Sequence, residues 1–196
     1  MPDLQSLMPK LILASQSPAR KKLLEDLGII VSVSPTDCDE SHGQEAPSDI
    51  VNLLARRKLD AFKAMHPLYT LPVLTCDTLV FCDGNLIGKA ATRKEAFSQL
   101  ASFCGKTQAV FSGWALWYRD KLYSDTDIAY VTFKQLNCKI IDDYLDTKEW
   151  IGAAGSYRIQ GRGKELVSEI VGDFTTVIGL PLSQISEILG TNCARL

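Results

Sequence analysis

LILASQSPARKKLLEDLG, residues 11–28, is the stretch on which the fold turns. Leu11, Ile12, Leu13 and Ala14 form an apolar run of the length of a short buried strand. Ser15, Gln16, Ser17 and Pro18 break it, with Ser17 suited to cap a helix and Pro18 to its first position. Leu23, Leu24 and Leu27 give that helix an apolar face, and Gly28 suits its stop. Arg20, Lys21 and Lys22 then fall in or beside the first helical turn, where the helix dipole disfavours cations. Either that basic turn is simply solvated, or an anion joins the cations and the N–H groups of the helix start, as phosphates do.

The same alternation continues outward. Residues 29–34 read as a second strand, followed by an acidic, turn-rich loop at 35–47. Ser48 is placed to cap a helix running to Met65. Residues 71–81 are strongly apolar and β-prone, with a turn at Asp83-Gly84-Asn85. Thr92 and Glu95 form a capping box for a helix that ends near Gly105. Residues 108–119 and 121–135 read as a hairpin. A short helix at 140–147 and a glycine-dense loop at 152–163 come next. Strands at 166–170 and 175–178 then precede a helix over 181–189 that Gly190 stops. Hairpins and crossovers together predict an α/β fold with a mixed sheet. No linker or repeat divides the chain, so residues 1–196 read as a single domain.

Composition narrows the function classes. Of 196 residues, 46% are hydrophobic and 22% charged, ordinary for a globular protein. The net charge of −2 argues against a nucleic-acid binder that relies on a broad basic surface. No apolar run is long enough to span a bilayer, and the start MPDLQSLMPK lacks a signal-peptide pattern. The six cysteines contain no CxxC pair and fit reduced, structural thiols in a cytoplasm. Two histidines, His42 and His66, leave no basis for a His-rich zinc site.

Three further residues stand out. Asp77 interrupts the apolar run LPVLTCDTLVF, where a carboxylate is costly unless paired, hydrogen-bonded or bound to metal. It either caps or pairs at a strand end or carries chemistry, and in a regular strand Thr78 beside it points to the opposite face. Lys58 lies within the stripe formed by Ile50, Val51, Leu54, Ala61 and Met65. It either snorkels to solvent or meets an anion; Arg56 and Arg57 read as surface charges. Gly84 to Ala90, GNLIGKA, falls short of a P-loop: one residue is missing between the glycines and Ala90 stands where Ser or Thr is needed. What survives is Lys89, a lysine after a glycine on a loop.

In order along the chain, these features resemble the Maf-like nucleoside triphosphate pyrophosphatases. LASQSPARKKLL is similar to their opening LAS-x-SPRR motif, CDES at residues 38–41 to their DE motif, and LARRKLDA at 54–61 to LA-x-x-KA. TCDTLV and IGKA resemble the ADT-VV and GKP motifs. AGSYRIQG at 154–161 and VGDFTTVIGLPL resemble the closing AG-x-Y-x-IQG and GD-x-x-NV-x-GLPL. The resemblance implies an elongated, two-lobed α/β domain with a mixed twisted sheet, flanking helices and a central cleft. It implies a homodimer that hydrolyses a nucleoside triphosphate to monophosphate and pyrophosphate with Mg2+ or Mn2+. Asp77 matches the catalytic carboxylate, with Glu40 its companion near the metal. Arg20, Lys58 and Lys89 match phosphate contacts, Ser15 lies by the triphosphate, and Thr78 and Gln160 flank the substrate.

Four departures bear on specificity. Ala19 replaces the first arginine of SPRR, Ala90 the proline after Gly88-Lys89, Arg158 a glycine, and Thr176 an asparagine. In the family, arginine at the Ala19 position goes with dTTP and UTP, tryptophan with 7-methyl-GTP. Gln160 belongs to the pyrimidine pattern, and its amide donor and acceptor suit the imide edge of thymine or uracil. The expected substrates are therefore dTTP and UTP. The alternatives are a 7-methyl-GTP-type or broad-specificity pyrophosphatase, and a nucleotide-binding regulator of septum formation with little turnover.

Overall fold

Residues 11–28 fold largely as their chemistry dictates. The strand forms as β1 (Lys10–Leu13), with Leu11 and Leu13 fully buried. Ser17 Oγ accepts from the Arg20 N–H at 3.4 Å, Pro18 opens α2 (Pro18–Asp26), and Gly28 leaves the helix at φ 80°, which only glycine adopts freely. Leu24 is buried, but Leu27, expected beside it, is 38% exposed because it already caps the helix end. The structure is a computed structural model that describes residues 3–193, with side chains to residue 191. Met1, Pro2 and the Cys193 side chain lie outside the described residues.

A mixed sheet runs in the order β2-β1-β3-β5-β6-β7, with β4 paired to β3. β2 (Ile30–Val33) and β3 (Val73–Cys82) both lie parallel to β1, while β4 (Asn85–Ile87) returns antiparallel along β3. β5 (Thr107–Tyr118) and β6 (Lys121–Phe133) form the expected hairpin, turning through Arg119 and Asp120 at φ 50° and 57°. β7 (Val167–Val171) pairs antiparallel with β6.

The chain divides into two compact units, the first holding the described residues up to 77, 112–127 and from 179 onward, the second 78–111 and 128–178. β3, β5 and β6 contribute residues to both. In the first unit, α1 (Leu4–Leu7), α2 and α7 (Leu182–Cys193) pack around Leu11, Leu13, Leu74 and Trp114. α3 (Pro47–Met65) packs Ala55, Leu59 and Phe62 against Val73 and Ala115. In the second, α4 (Arg93–Ser102) and α5 (Cys138–Leu145) enclose Val80, Leu100, Phe103, Val131 and Phe133.

Several sequence expectations are corrected. Pro47, not Ser48, opens α3, with Ala46 at the cap and no side-chain cap bond. Residues 175–178 lie in the helix α6 (Phe174–Ile178), because the Asp173 carboxylate accepts from the Thr175 N–H at 2.7 Å and overrides the β-branched run. α7 runs through Gly190, since one interior glycine costs only about 1 kcal/mol in a helix and Leu189 is fully buried. In the capping box Thr92 accepts from the Glu95 N–H, but Glu95 reaches back to the Ala91 N–H instead of that of Thr92. α1 and β4, with 4 and 3 residues, are too short to carry a period.

Candidate active site

How α3 is seated on the sheet decides where its lysine goes. On β3, Thr75 is fully buried and its hydroxyl lies 2.7 Å from the Ala55 carbonyl and 3.1 Å from that of Ala115. On β5, Gly113 lets the helix backbone come close: a Cβ there would collide with the Val51 carbonyl. The buried face of α3 comprises Ile50, Val51, Leu54, Ala55, Leu59 and Phe62; Met65, its last residue, is 53% exposed. At roughly 100° per residue, Lys58 falls near the midline of that face. It is one turn beyond Ala55, as Asp77 is one side-chain repeat beyond Thr75 on the same face of β3.

Lys58 therefore meets Asp77. Its ammonium stands 2.5 Å from Asp77 Oδ1 and 2.7 Å from Glu40 Oε1. The Lys58 and Asp77 side chains are 14% and 13% exposed, Glu40 62%. Burial works against the lysine charge, but the Asp77 and Glu40 carboxylates outweigh it and hold the ammonium above its usual range. Neither snorkelling nor a lone anion describes this lysine; two carboxylates share it.

Glu40 arrives on the 35–46 loop with help that periodicity does not announce. Arg57, expected as a surface charge, donates through Nη1 to the Ser41 carbonyl at 2.5 Å and the Asp39 carbonyl at 3.3 Å. Those carbonyls flank Glu40. Asp39 itself accepts from the Ser41 N–H and hydroxyl, both at 2.8 Å, bonds that hold its carboxyl below the usual range. Adjacent residues of α3 thus grip the loop backbone and the Glu40 carboxylate. Nearby, burial pushes the Cys38 thiol up and Lys58 only partly offsets this, so no thiolate nucleophile is offered.

The basic turn resolves residue by residue. Lys21 and Lys22 form exposed pairs with Glu25 and Asp26 one turn on. Arg20 turns inward, donating from Nε to the Gly179 carbonyl at 2.9 Å and from Nη1 to Ser15 Oγ and the Cys76 carbonyl, each at 3.0 Å. It ties the Ser15 loop to the residue before Asp77. Ala19 precedes it on α2, half-buried.

Thr78, Lys89 and Gln160 belong to the second unit. Thr78 is half-buried on β3, while Lys89 and Gln160 are exposed. Lys89 pairs antiparallel with Ala154 in an isolated bridge. Arg158, the departure from glycine, serves as scaffold: Nε donates to the Glu149 carbonyl at 2.8 Å and Nη2 to that of Ile151 at 2.7 Å. Its own N–H meets the Tyr144 hydroxyl at 3.0 Å. Thr176 is fully buried in α6.

Glu40 and Asp77 are the donor set on which the metal expectation rests. Among the described residues no cluster of three or more His, Cys, Asp or Glu side chains is disposed to hold an ion unaided. Two hard carboxylates fit Mg2+, which takes one or two from a protein and completes its octahedron with phosphate oxygens and water. Among the described residues no helix is long and apolar enough to cross a membrane, and the five described cysteines are free thiols.

Comparison with known proteins shows which family the chain resembles. The family described as Maf-like protein matches residues 10–192. The dTTP/UTP pyrophosphatase of Bacillus thuringiensis subsp. konkukian (strain 97-27) is 39% identical over 179 residues, covering 91% of this chain and 93% of that protein. Proteins of the same name from Bacillus anthracis and Bacillus cytotoxicus are 38% and 39% identical over the same shares of both chains. Among solved structures, a nucleoside-triphosphatase, dITP/XTP pyrophosphatase, from Mycobacterium abscessus aligns over 65% of this chain and 75% of its own. Its TM-score of 0.39 and identity of 15% are too low to support an inference.

Proposed function

Because the chain belongs to the Maf-like protein family, we propose that it hydrolyses nucleoside triphosphates to the monophosphate and pyrophosphate, with dTTP and UTP as its substrates. The observation that carries this reading is the pair of carboxylates, Asp77 and Glu40, on the one ammonium of Lys58. The names of the relatives support the choice of substrates.

In the proposed reaction Asp77 takes a proton from a water whose oxygen forms a bond to the α-phosphorus. The bond from that phosphorus to the bridging oxygen breaks in line, and pyrophosphate leaves. Lys58 has three N–H donors, of which Asp77 and Glu40 take two; the third serves a phosphate oxygen. Its charge also balances those of the two carboxylates it contacts. Arg20 holds the Ser15 loop beside the triphosphate, and Lys89 adds a second cation for the leaving group. Glu40 and Asp77 would hold Mg2+ or Mn2+, which when bound neutralises charge on the phosphate oxygens. Gln160 and Thr78 flank the base. The reading places residues 1–196 in one catalytic domain, acting as a homodimer in the cytoplasm without nucleic acid or membrane.

A panel of dTTP, UTP, ATP and 7-methyl-GTP, scored by kcat/KM for pyrophosphate release, tests the proposal. A pyrimidine triphosphate is expected to lead, with a looser preference than an arginine at position 19 would give, and Ala19→Arg should sharpen it. A purine leading the panel would reject Gln160 as the base reader. Nucleotide binding without pyrophosphate release in Mg2+ would assign the chain to regulation.

A further inference from the structure

The glycine-dense loop is held from α4 by a side chain that no motif of the sequence contains. Gln99, half-buried, sends its amide in two directions. Its Nε2 donates to the Gly88 carbonyl at 3.3 Å, and its Oε1 accepts from the Ser156 hydroxyl at 2.5 Å. Gly88 immediately precedes Lys89; Ser156 lies four residues before Gln160. The Gly88 carbonyl also receives the Gly155 N–H at 3.2 Å, and Lys89 bridges Ala154. The two loops are thus joined at the backbone, and one side chain ties both.

The Ser156 end is the informative one. Ser156 is fully buried and holds φ 59°, a left-handed conformation that L-residues seldom adopt and that persists where surroundings impose it. Its N–H meets the Ala153 carbonyl at 3.1 Å, and its hydroxyl meets Gln99. From this turn the chain enters Tyr157 and Ile159, 6% and 3% exposed, before Gln160 emerges. Ser156 thus sets where the segment leading to Gln160 starts, and Arg158, bonded to Tyr144, Glu149 and Ile151, holds it further along.

We infer that Gln99 is a positioning residue for specificity: its amide fixes the loop that presents Gln160 to the base against the loop that presents Lys89 to the phosphates. The inference rests on the proposed pyrophosphatase reading. An amide suits the task because the Gly88 carbonyl, already accepting from Gly155, has a second lone pair for a donor and the Ser156 hydroxyl offers a proton to an acceptor, and glutamine carries both groups. Glutamate keeps the acceptor and loses the donor; methionine keeps the length and loses both.

The test uses Gln99→Met, Gln99→Glu and Ser156→Gly, the last of which removes the hydroxyl while accepting positive φ. Three quantities are read: kcat and KM for the nucleotide panel, the melting temperature, and hydrogen exchange over residues 86–90 and 153–160. Gln99→Met should lower kcat/KM for the leading nucleotide about tenfold, mainly through KM, and shrink its lead over the other bases several-fold. Gln99→Glu should fall between methionine and the parent, and Ser156→Gly should lose base preference without loss of melting temperature. Equal losses for every nucleotide, or an unchanged ratio, would overturn the inference. Exchange separates this outcome from failure of the pyrophosphatase reading. If the parent chain hydrolyses no nucleotide, that reading falls; joint deprotection of both segments in Gln99→Met still supports the tie, and unchanged exchange removes it.

Discussion

Lys58 is where the chain commits the most charge to the least solvent. Its neighbour Asp77 stood out in the sequence as a carboxylate inside LPVLTCDTLVF, and Lys58 as a charge within an apolar stripe, though pattern alone left each with a bland alternative. Glu40 has no such signature; only the family motif points to it, since an acid in an acidic loop violates no pattern. Arg57 and Gln99 were not legible at all. Their acceptors are mainly backbone carbonyls, which leave no mark on residue identity. Substitution separates the roles within the cluster. Asp77→Asn keeps size and a hydrogen-bond acceptor but cannot take the proton, so turnover should fall about a hundredfold or more with the melting temperature nearly unchanged. Lys58→Ala leaves a largely buried carboxylate without its cation, which should cost about 3 kcal/mol of stability as well as activity. A folded Asp77→Asn with parental pyrophosphate release would remove Asp77 from catalysis. A Lys58→Ala variant as stable as the parent would mean that the pair contributes nothing to the fold.

At the scale of the element, α3 is the part that aligns the cluster, and its seat is set by Thr75 and Gly113 rather than by its own sequence. The helix and its apolar face were readable from period; the depth at which it lies was not, because depth depends on a glycine 62 residues downstream of Val51. Likewise the strand expected at 175–178 failed because Asp173, a local cap, outranks the β-branched run Thr175-Thr176-Val177-Ile178. Gly113→Ala would push a methyl group into the Val51 carbonyl and displace the helix, at about 1–3 kcal/mol. Because Lys58 rides on that helix, pyrophosphate release should drop together with the melting temperature, measured by calorimetry. An alanine variant with both parental would show that the helix does not rest where the contact places it.

For the molecule as a whole, the mixed sheet was legible from the alternation of hairpins and crossovers, whereas a division in two was implied only by the family resemblance and by no feature of the residues themselves. β3, β5 and β6 contribute to both units, so no linker marks a boundary. The two cores nevertheless share a sensitivity to alkali. Burial pushes the Cys76 thiol up from 9.0 to about 11 and the Tyr144 phenol from 10.0 to about 12. A raised acid contributes stability in full below its ordinary value and loses it as pH rises towards the folded one. Lys58 follows the same sign, its pairing being lost above 10.5. Stability to urea should therefore be flat from neutral pH to about 9 on these groups and fall steeply between 9 and 12. A midpoint that held steady to pH 11 would contradict the burial of these groups. The central claim, attack of water on the α-phosphorus beside Asp77, has its own direct measurement. Hydrolysis of dTTP in 18O-labelled water with Mg2+, followed by mass analysis of both products, locates the broken bond. The account predicts one labelled oxygen in the nucleoside monophosphate and none in pyrophosphate. Label in pyrophosphate, or release of orthophosphate and a nucleoside diphosphate, would contradict it.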